Sequence, residues 1–102
     1  MSKYTEKRLL GEWVIDPTDF NAIEKYGIVS MKFKENGQLI YRNHFIGETK
    51  IMLLTYQAQD GLLFTNQPSS LQEEKTAYFF TPEGNLILLY ESTPSRFVRS
   101  SP

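Results

Sequence analysis

The chain predicts an all-β domain: an eight-stranded antiparallel up-and-down barrel with a short helix between its first two strands. Three observations predict it. One phrase recurs, as FKENGQLIY from Phe33 to Tyr41, DGLLF from Asp60 to Phe64 and FTPEGNLILLY from Phe80 to Tyr90. Each copy sets an acid or amide before glycine and an apolar run after it, the grammar of a hairpin turn that resumes a strand. Its glycines, Gly37, Gly61 and Gly84, stand 24 and 23 residues apart, an interval that two strands and two turns fill. Apolar and charged residues alternate with period two between those turns, as in strands with one face buried. Eight such strands, closed on themselves, leave an interior that side chains fill or that holds one small ligand.

The elements follow in order. A helical turn around Glu6 to Leu10 leads into a first strand at residues 11–16. Asp16-Pro17-Thr18-Asp19 reads as a helix start, with Asp16 as N-cap, Pro17 at the first helical position and an acid in the first turn. The helix runs to about Lys25 and stops near Gly27, with Phe20 and Ile23 turned to the barrel. Strands follow at 28–35, 38–46, 49–58, 62–66, 73–81, 85–91 and 96–99, with further turns at Gly47-Glu48 and from Asn66 to Ser70 around Pro68.

Register decides which side chains point inward, because a one-residue slip turns every side chain to the other face. In TPEGN, Pro82-Glu83 suits a type I turn and Gly84 the left-handed bulge after it, a three-residue loop. That loop pairs Thr81 with Asn85, Phe80 with Leu86 and Tyr78 with Leu88. FKENG has the same length, so Phe33 faces Leu39, Met31 faces Tyr41 and Val29 faces Asn43; a two-residue type I′ turn at Asn36-Gly37 is the alternative. The Gly47-Glu48 turn then sets Tyr41 beside Leu54, Leu39 beside Tyr56 and Asn43 beside Met52. One face so carries Val29, Met31, Phe33, Leu39, Tyr41, Asn43, Phe45, Met52, Leu54 and Tyr56, and the other Ser30, Lys32, Lys34, Arg42 and His44. The first set is the interior. The opposite register would bury Arg42 and His44 without carboxylate partners, at high cost.

The interior set is not wholly apolar. Tyr41, Asn43 and Tyr56, joined by Asn66, Tyr78 and Tyr90, bring polar tips that need partners. They either satisfy one another, backbone and water in a filled core, or line a ligand cavity with aromatic walls and a few convergent polar groups. On the second reading the ligand-binding residues are Trp13, Tyr41, Asn43, Tyr56, Tyr78 and Tyr90, gated by the Asp16–Lys25 helix. The outer face carries apolar residues too: Ile40, Ile51, Leu53, Leu63, Ala77, Phe79, Ile87 and Leu89. Apolar area of that kind marks an interface, and a homodimer is expected.

Composition bounds the chemistry. The 102 residues form one domain, residues 1–102, with a core of its own. Eleven basic against twelve acidic residues leave a net charge of −1, without the clustered cations that nucleic acid or an anionic membrane needs. With no cysteine, disulfides, thiolate nucleophiles and cysteine-ligated metals are excluded. His44 is the single histidine and stands beside Arg42; Glu73-Glu74 reads as a solvated strand start. No glycine motif cradles a phosphate, and the serines at 69, 70, 92, 95, 100 and 101 fall in turns and the tail, without a nucleophile elbow. SRFVRSSP reads as a closing strand with a frayed end, with a partner-binding tail as the alternative. No catalytic residue, metal or cofactor is expected, and the protein reads as a non-enzyme. MSKYTEKRLLGEW holds no apolar run for a signal peptide, and the apolar stretches are too short to span a bilayer, so a cytoplasmic location is expected.

RLLGEWVID, from Arg8 to Asp16, resembles the G-x-W signature on the first strand of the lipocalin and fatty-acid-binding (calycin) superfamily. The resemblance implies a short helical turn, entry into the first strand at Gly11, and Trp13 closing one barrel end. It also implies an arginine from the last strand, Arg96 or Arg99, packed across the indole. The helix after the first strand is similar to the lid of the fatty-acid-binding branch. That branch has ten strands and an internal Arg/Tyr clamp, neither of which has a counterpart here. The T-D-Y second motif has its nearest trace in Thr76-Ala77-Tyr78. Taken whole, the chain resembles a minimal lipocalin-like domain of bacterial type, which implies a barrel holding a small apolar or amphipathic molecule. The alternative is an interaction or scaffold protein with a filled core that self-associates through its outer sheet.

Overall fold

The computed structural model describes residues 6–45, 47–67, 73–90 and 93–100. A 3₁₀ turn, Lys7–Leu9, precedes strand β1, Gly11–Ile15, and helix α1, Phe20–Tyr26. Seven strands follow: β2 Ile28–Phe33, β3 Gln38–Phe45, β4 Glu48–Gln59, β5 Leu62–Asn66, β6 Glu73–Phe80, β7 Leu86–Tyr90 and β8 Thr93–Arg99. Each pairs antiparallel with the next, and β8 returns to β1 through Trp13↔Arg99 and Ile15↔Phe97, closing the barrel in up-and-down order. The fold class is the expected one. Expectations about Ile46, Pro68, Ser69, Ser70, Glu91, Ser92, Ser101 and the Phe45 side chain lie outside the described residues.

The turns explain the register. β2–β3 and β6–β7 share one three-residue loop: Lys34 N–H donates to the Gln38 carbonyl and Thr81 N–H to that of Asn85, both at 2.8 Å. Gly37 and Gly84 take the left-handed bulge position, each with φ +88°. Phe33↔Leu39, Met31↔Tyr41, Val29↔Asn43, Phe80↔Leu86 and Tyr78↔Leu88 therefore pair as expected. The type I′ alternative at Asn36-Gly37 is not adopted; Asp60 is the one non-glycine with positive φ among the described residues.

Two hairpins depart from expectation. Asp60 (φ 54°) and Gly61 (φ 76°) are both left-handed, so β4–β5 is joined by a two-residue loop with Gln59 opposite Leu62. Losing one loop residue inverts the parity of β5. Leu63 turns inward and is only 2% exposed, not outward, while Asn66 leaves the interior and donates to Glu73 Oε2 at 3.5 Å. Between β3 and β4 the turn sits one residue early, with Glu48 already opposite Phe45. The pairs are Tyr41↔Met52, Leu39↔Leu54 and Asn43↔Lys50, shifted by two residues from those expected. An even shift preserves faces. Val29, Met31, Phe33, Leu39 and Tyr56 are accordingly buried, and Tyr41 and Leu54 pack against the same core.

α1 also begins later than its signals indicate. Asp19, not Asp16, is the N-cap and accepts from Ala22 N–H. The Asp16 carboxylate accepts from the Thr18 N–H and hydroxyl, 2.8 Å each, and these bonds lower its titration. Asp16-Pro17-Thr18 is thus a turn before the helix, since a side chain that caps its own turn competes with helix initiation. Phe20, the first helical residue, is 73% exposed rather than turned to the barrel; Ile23 and Ala22 carry the buried face. β8 starts at Thr93, three residues early, which places Ser95 inside a strand and buried instead of in a turn. Ile87 does point outward, but residues of the 16–21 segment flank it and leave it 7% exposed.

Large rings fill one end. Trp13, Phe33, Tyr56, Tyr78 and Phe80 pack there with ring pairs 5.0–6.2 Å apart, over Leu9 from the 3₁₀ turn. Trp13 Nε1 donates to the Leu9 carbonyl at 2.8 Å. Arg99, not Arg96, lies across the indole, 4.1 Å from its centroid, and donates to the carbonyls of Arg8 and Leu10. One guanidinium so ties the last strand to the segment before the first. The glycine of G-x-W gains a reason: Gly11 has φ +110°, and a Cβ there would sit 2.7 Å from Arg99 Nη1. Gly11→Ala is therefore expected to cost about 1–3 kcal/mol through backbone strain and a displaced arginine. A urea midpoint unchanged from wild type would refute it.

A cavity at the open end of the barrel

Inward residues shrink from the ring-filled end toward the other. The inward faces of β6 and β8, which elsewhere carry Tyr78, Phe80 and Phe97, present Thr76 and Ser95 here, and that of β5 presents Thr65. Small side chains on a closed barrel leave space, and a cavity of about 330 Å³ opens there. Its walls are aliphatic, with Met31, Leu39, Leu54, Leu63 and Leu88 prominent, and Phe97 and Ile15 forming part of the lining. Such a volume lies at the small end of ligand pockets.

The polar groups gather near α1. Tyr26, at the helix C-terminus, meets Tyr90 edge-on at 5.8 Å and donates its hydroxyl proton to the Tyr90 carbonyl at 3.2 Å. Tyr41 joins them from β3; burial raises its hydroxyl's titration, and neighbouring Tyr26 adds to that against an opposing bond from Asn43. Asn43 Nδ2 donates to the Tyr26 carbonyl at 2.8 Å, Lys25 Nζ to Thr93 Oγ1 at 2.9 Å, and Arg96 N–H to Asp19 Oδ2 at 2.9 Å. These three bonds pin α1 beside the mouth. Asn43 Oδ1 is buried without a hydrogen-bond partner. Across the mouth stand Thr65 and Glu74, opposite each other on β5 and β6.

Of the six residues expected to bind ligand, Tyr41 and Tyr90 line this cavity. Trp13, Tyr56 and Tyr78 belong to the filled end, where their polar tips have partners. Tyr56 Oη donates to the Lys34 carbonyl at 2.8 Å and Tyr78 Oη to Glu6 Oε1 at 3.3 Å. Burial and the Glu6 carboxylate push Tyr78 up to about 12, while Arg8 holds Glu6 below the usual carboxylate range. Asn43 acts through the helix. The lining also includes Tyr26, Thr65, Glu74, Thr76 and Ser95, none of them anticipated as site residues. Glu74 and Thr76 share parity with Tyr78 on β6, a signal present in the sequence; Thr65 became readable only once the β4–β5 loop length was known. Glu73 and Glu74 do begin a strand and are exposed, as expected. His44 is exposed, with Nδ1 3.2 Å from Thr49 Oγ1, and no group of three metal-ligating side chains occurs among the described residues.

Fold and site together define a small antiparallel barrel, closed at one end and hollow at the other, an architecture consistent with the calycin fold. No family model matches the chain, and no curated protein or solved structure matches it significantly. Among the described residues no helix is long and apolar enough to cross a membrane.

Proposed function

We propose that this protein is a lipocalin-like binding protein that holds a small apolar or amphipathic molecule in its barrel, without catalysing its conversion. One observation carries the reading: the aliphatic cavity of about 330 Å³ with tyrosine and threonine hydroxyls at its mouth. Concave, mostly apolar sites with few polar groups are the usual small-molecule sites. The arginine–tryptophan closure of the filled end adds to the lipocalin-like assignment. α1 is the gate in this proposal, packed beside the mouth through Ala22 and Ile23 and tied there by side-chain bonds from Lys25 and Asn43. A cytoplasmic setting is part of the same proposal. Titration with n-octanol, followed by calorimetry and backbone amide NMR, tests it. Binding with a dissociation constant of roughly 10 µM–1 mM is expected for so small a ligand. Shifts should fall on β5, β6 and β8 around Thr65, Thr76 and Ser95. The absence of saturable shifts up to the solubility limit would sink the proposal.

Self-association is proposed alongside. Ile51 and Leu53, two residues apart on the outer face of β4, are 58% and 55% exposed, and Phe79 on β6 is 51% exposed. A homodimer at micromolar concentration, converted to monomer by Leu53→Lys or Phe79→Lys with the circular dichroism unchanged, is the expected result. Light scattering showing a wild-type monomer would end this reading.

A further inference from the structure

The charge at the cavity mouth selects among amphiphiles. Among the described residues Glu74 is the one carboxylic side chain that lines the cavity, and no lysine, arginine or histidine is among the lining residues. It stands on the inward face of β6 opposite Thr65, two residues from Thr76, at the open end. It is exposed, so its carboxylate keeps water until a ligand arrives. The tyrosine rings of α1, β3 and β7, Tyr26, Tyr41 and Tyr90, complete the mouth. Lys50 and Lys75 are exposed and stand outside the lining.

An anionic head group entering here would meet the like charge of Glu74, while the ammonium of Lys25, beside the mouth on α1, is already held by Thr93 Oγ1 and lies 5.4 Å over the Tyr26 ring. A cationic head meets a carboxylate and the rings of Tyr41 and Tyr90, both of which attract it. We propose that the ligand is an amphipathic cation, a protonated amine or quaternary ammonium on a short apolar body. Its head pairs with Glu74 among the tyrosines, and its tail packs against Leu54, Leu63 and Leu88. This deepens the cavity-binding reading and rests on it.

Three eight-carbon probes separate the two ideas: n-octylamine, n-octanol and n-octanoate, titrated at pH 7 into wild type, Glu74→Gln and Glu73→Gln. Glu73 is exposed on the opposite face of β6, so its variant makes the same charge change outside the cavity. In wild type, octylamine is expected to bind about fivefold or more tighter than octanol, with octanoate weakest. Glu74→Gln should bring amine and alcohol within about twofold, the residue of a lost single pair. Glu73→Gln should keep the preference. Octanol or octanoate matching octylamine in wild type would overturn the cationic ligand, as would a preference that survives Glu74→Gln or vanishes equally in Glu73→Gln. In each of those cases binding itself persists and the cavity reading stands. If none of the three binds, the cavity reading falls, and this inference with it.

Discussion

Replacing Trp13 by alanine is expected to cost about 3–5 kcal/mol, the range for deleting a large ring from a packed interior. Trp13 is 1% exposed and among the largest fully buried side chains. Its removal empties the space under Arg99, breaks the tilted contact with Phe80 and leaves the Leu9 carbonyl without its donor. Against a total stability of roughly 5–15 kcal/mol the barrel would be brought close to unfolding at ordinary temperature. Trp13→Phe separates the contributions. It keeps a ring beneath the guanidinium but orphans the Leu9 carbonyl, for a smaller cost of about 1–3 kcal/mol. Urea denaturation followed by circular dichroism reads both. A Trp13→Ala loss below about 1 kcal/mol would show that the filled end is not the stabilising core described here.

Ser95→Leu is expected to act in opposite directions on stability and binding. Ser95 is 4% exposed, opposite Leu88, on the cavity wall. A leucine there projects added apolar carbon into empty space, and cavity filling commonly adds about 0.5–2 kcal/mol. For a domain of this length that raises the melting temperature by several degrees, about 4–8 °C per kcal/mol. The same carbon occupies ligand volume, so octanol affinity should fall at least about tenfold. A more stable variant that binds no less tightly would place the ligand elsewhere. A destabilised variant would mean that the wall around Ser95 is already packed, since overfilling costs about 1–3 kcal/mol.

Local signals located most of the architecture. Glycine turns at 37, 61 and 84 are readable because only a residue free of Cβ takes positive φ cheaply, and the tyrosine and leucine alternation around them assigns the buried face. G-x-W likewise pointed to Trp13 at a barrel end, and the structure chose Arg99 over Arg96 as its cover. Loop length was less legible. Asp60-Gly61 and Asn36-Gly37 look alike, yet one makes a two-residue and the other a three-residue loop, and that difference decided whether Leu63 faces in or out. Asp16 and Asp19 are both capping residues by type; the turn that Asp16 closes on Thr18 gave the helix to Asp19.

By itself, then, the order of residues determined eight antiparallel strands, a helix after the first, and an interior walled by aliphatics and tyrosines instead of charge. Those follow from nearest-neighbour physics: turn dihedrals, side-chain alternation and the cost of burying Arg42 or His44. Only the tertiary structure decided that the barrel is full at one end and hollow at the other. The height of a side chain along the tube depends on strand stagger and loop length, which set who meets whom across the interior. Rings from β1, β2, β4 and β6 meet at the Trp13 end, and Thr65, Thr76 and Ser95 meet at the other with Glu74 above them.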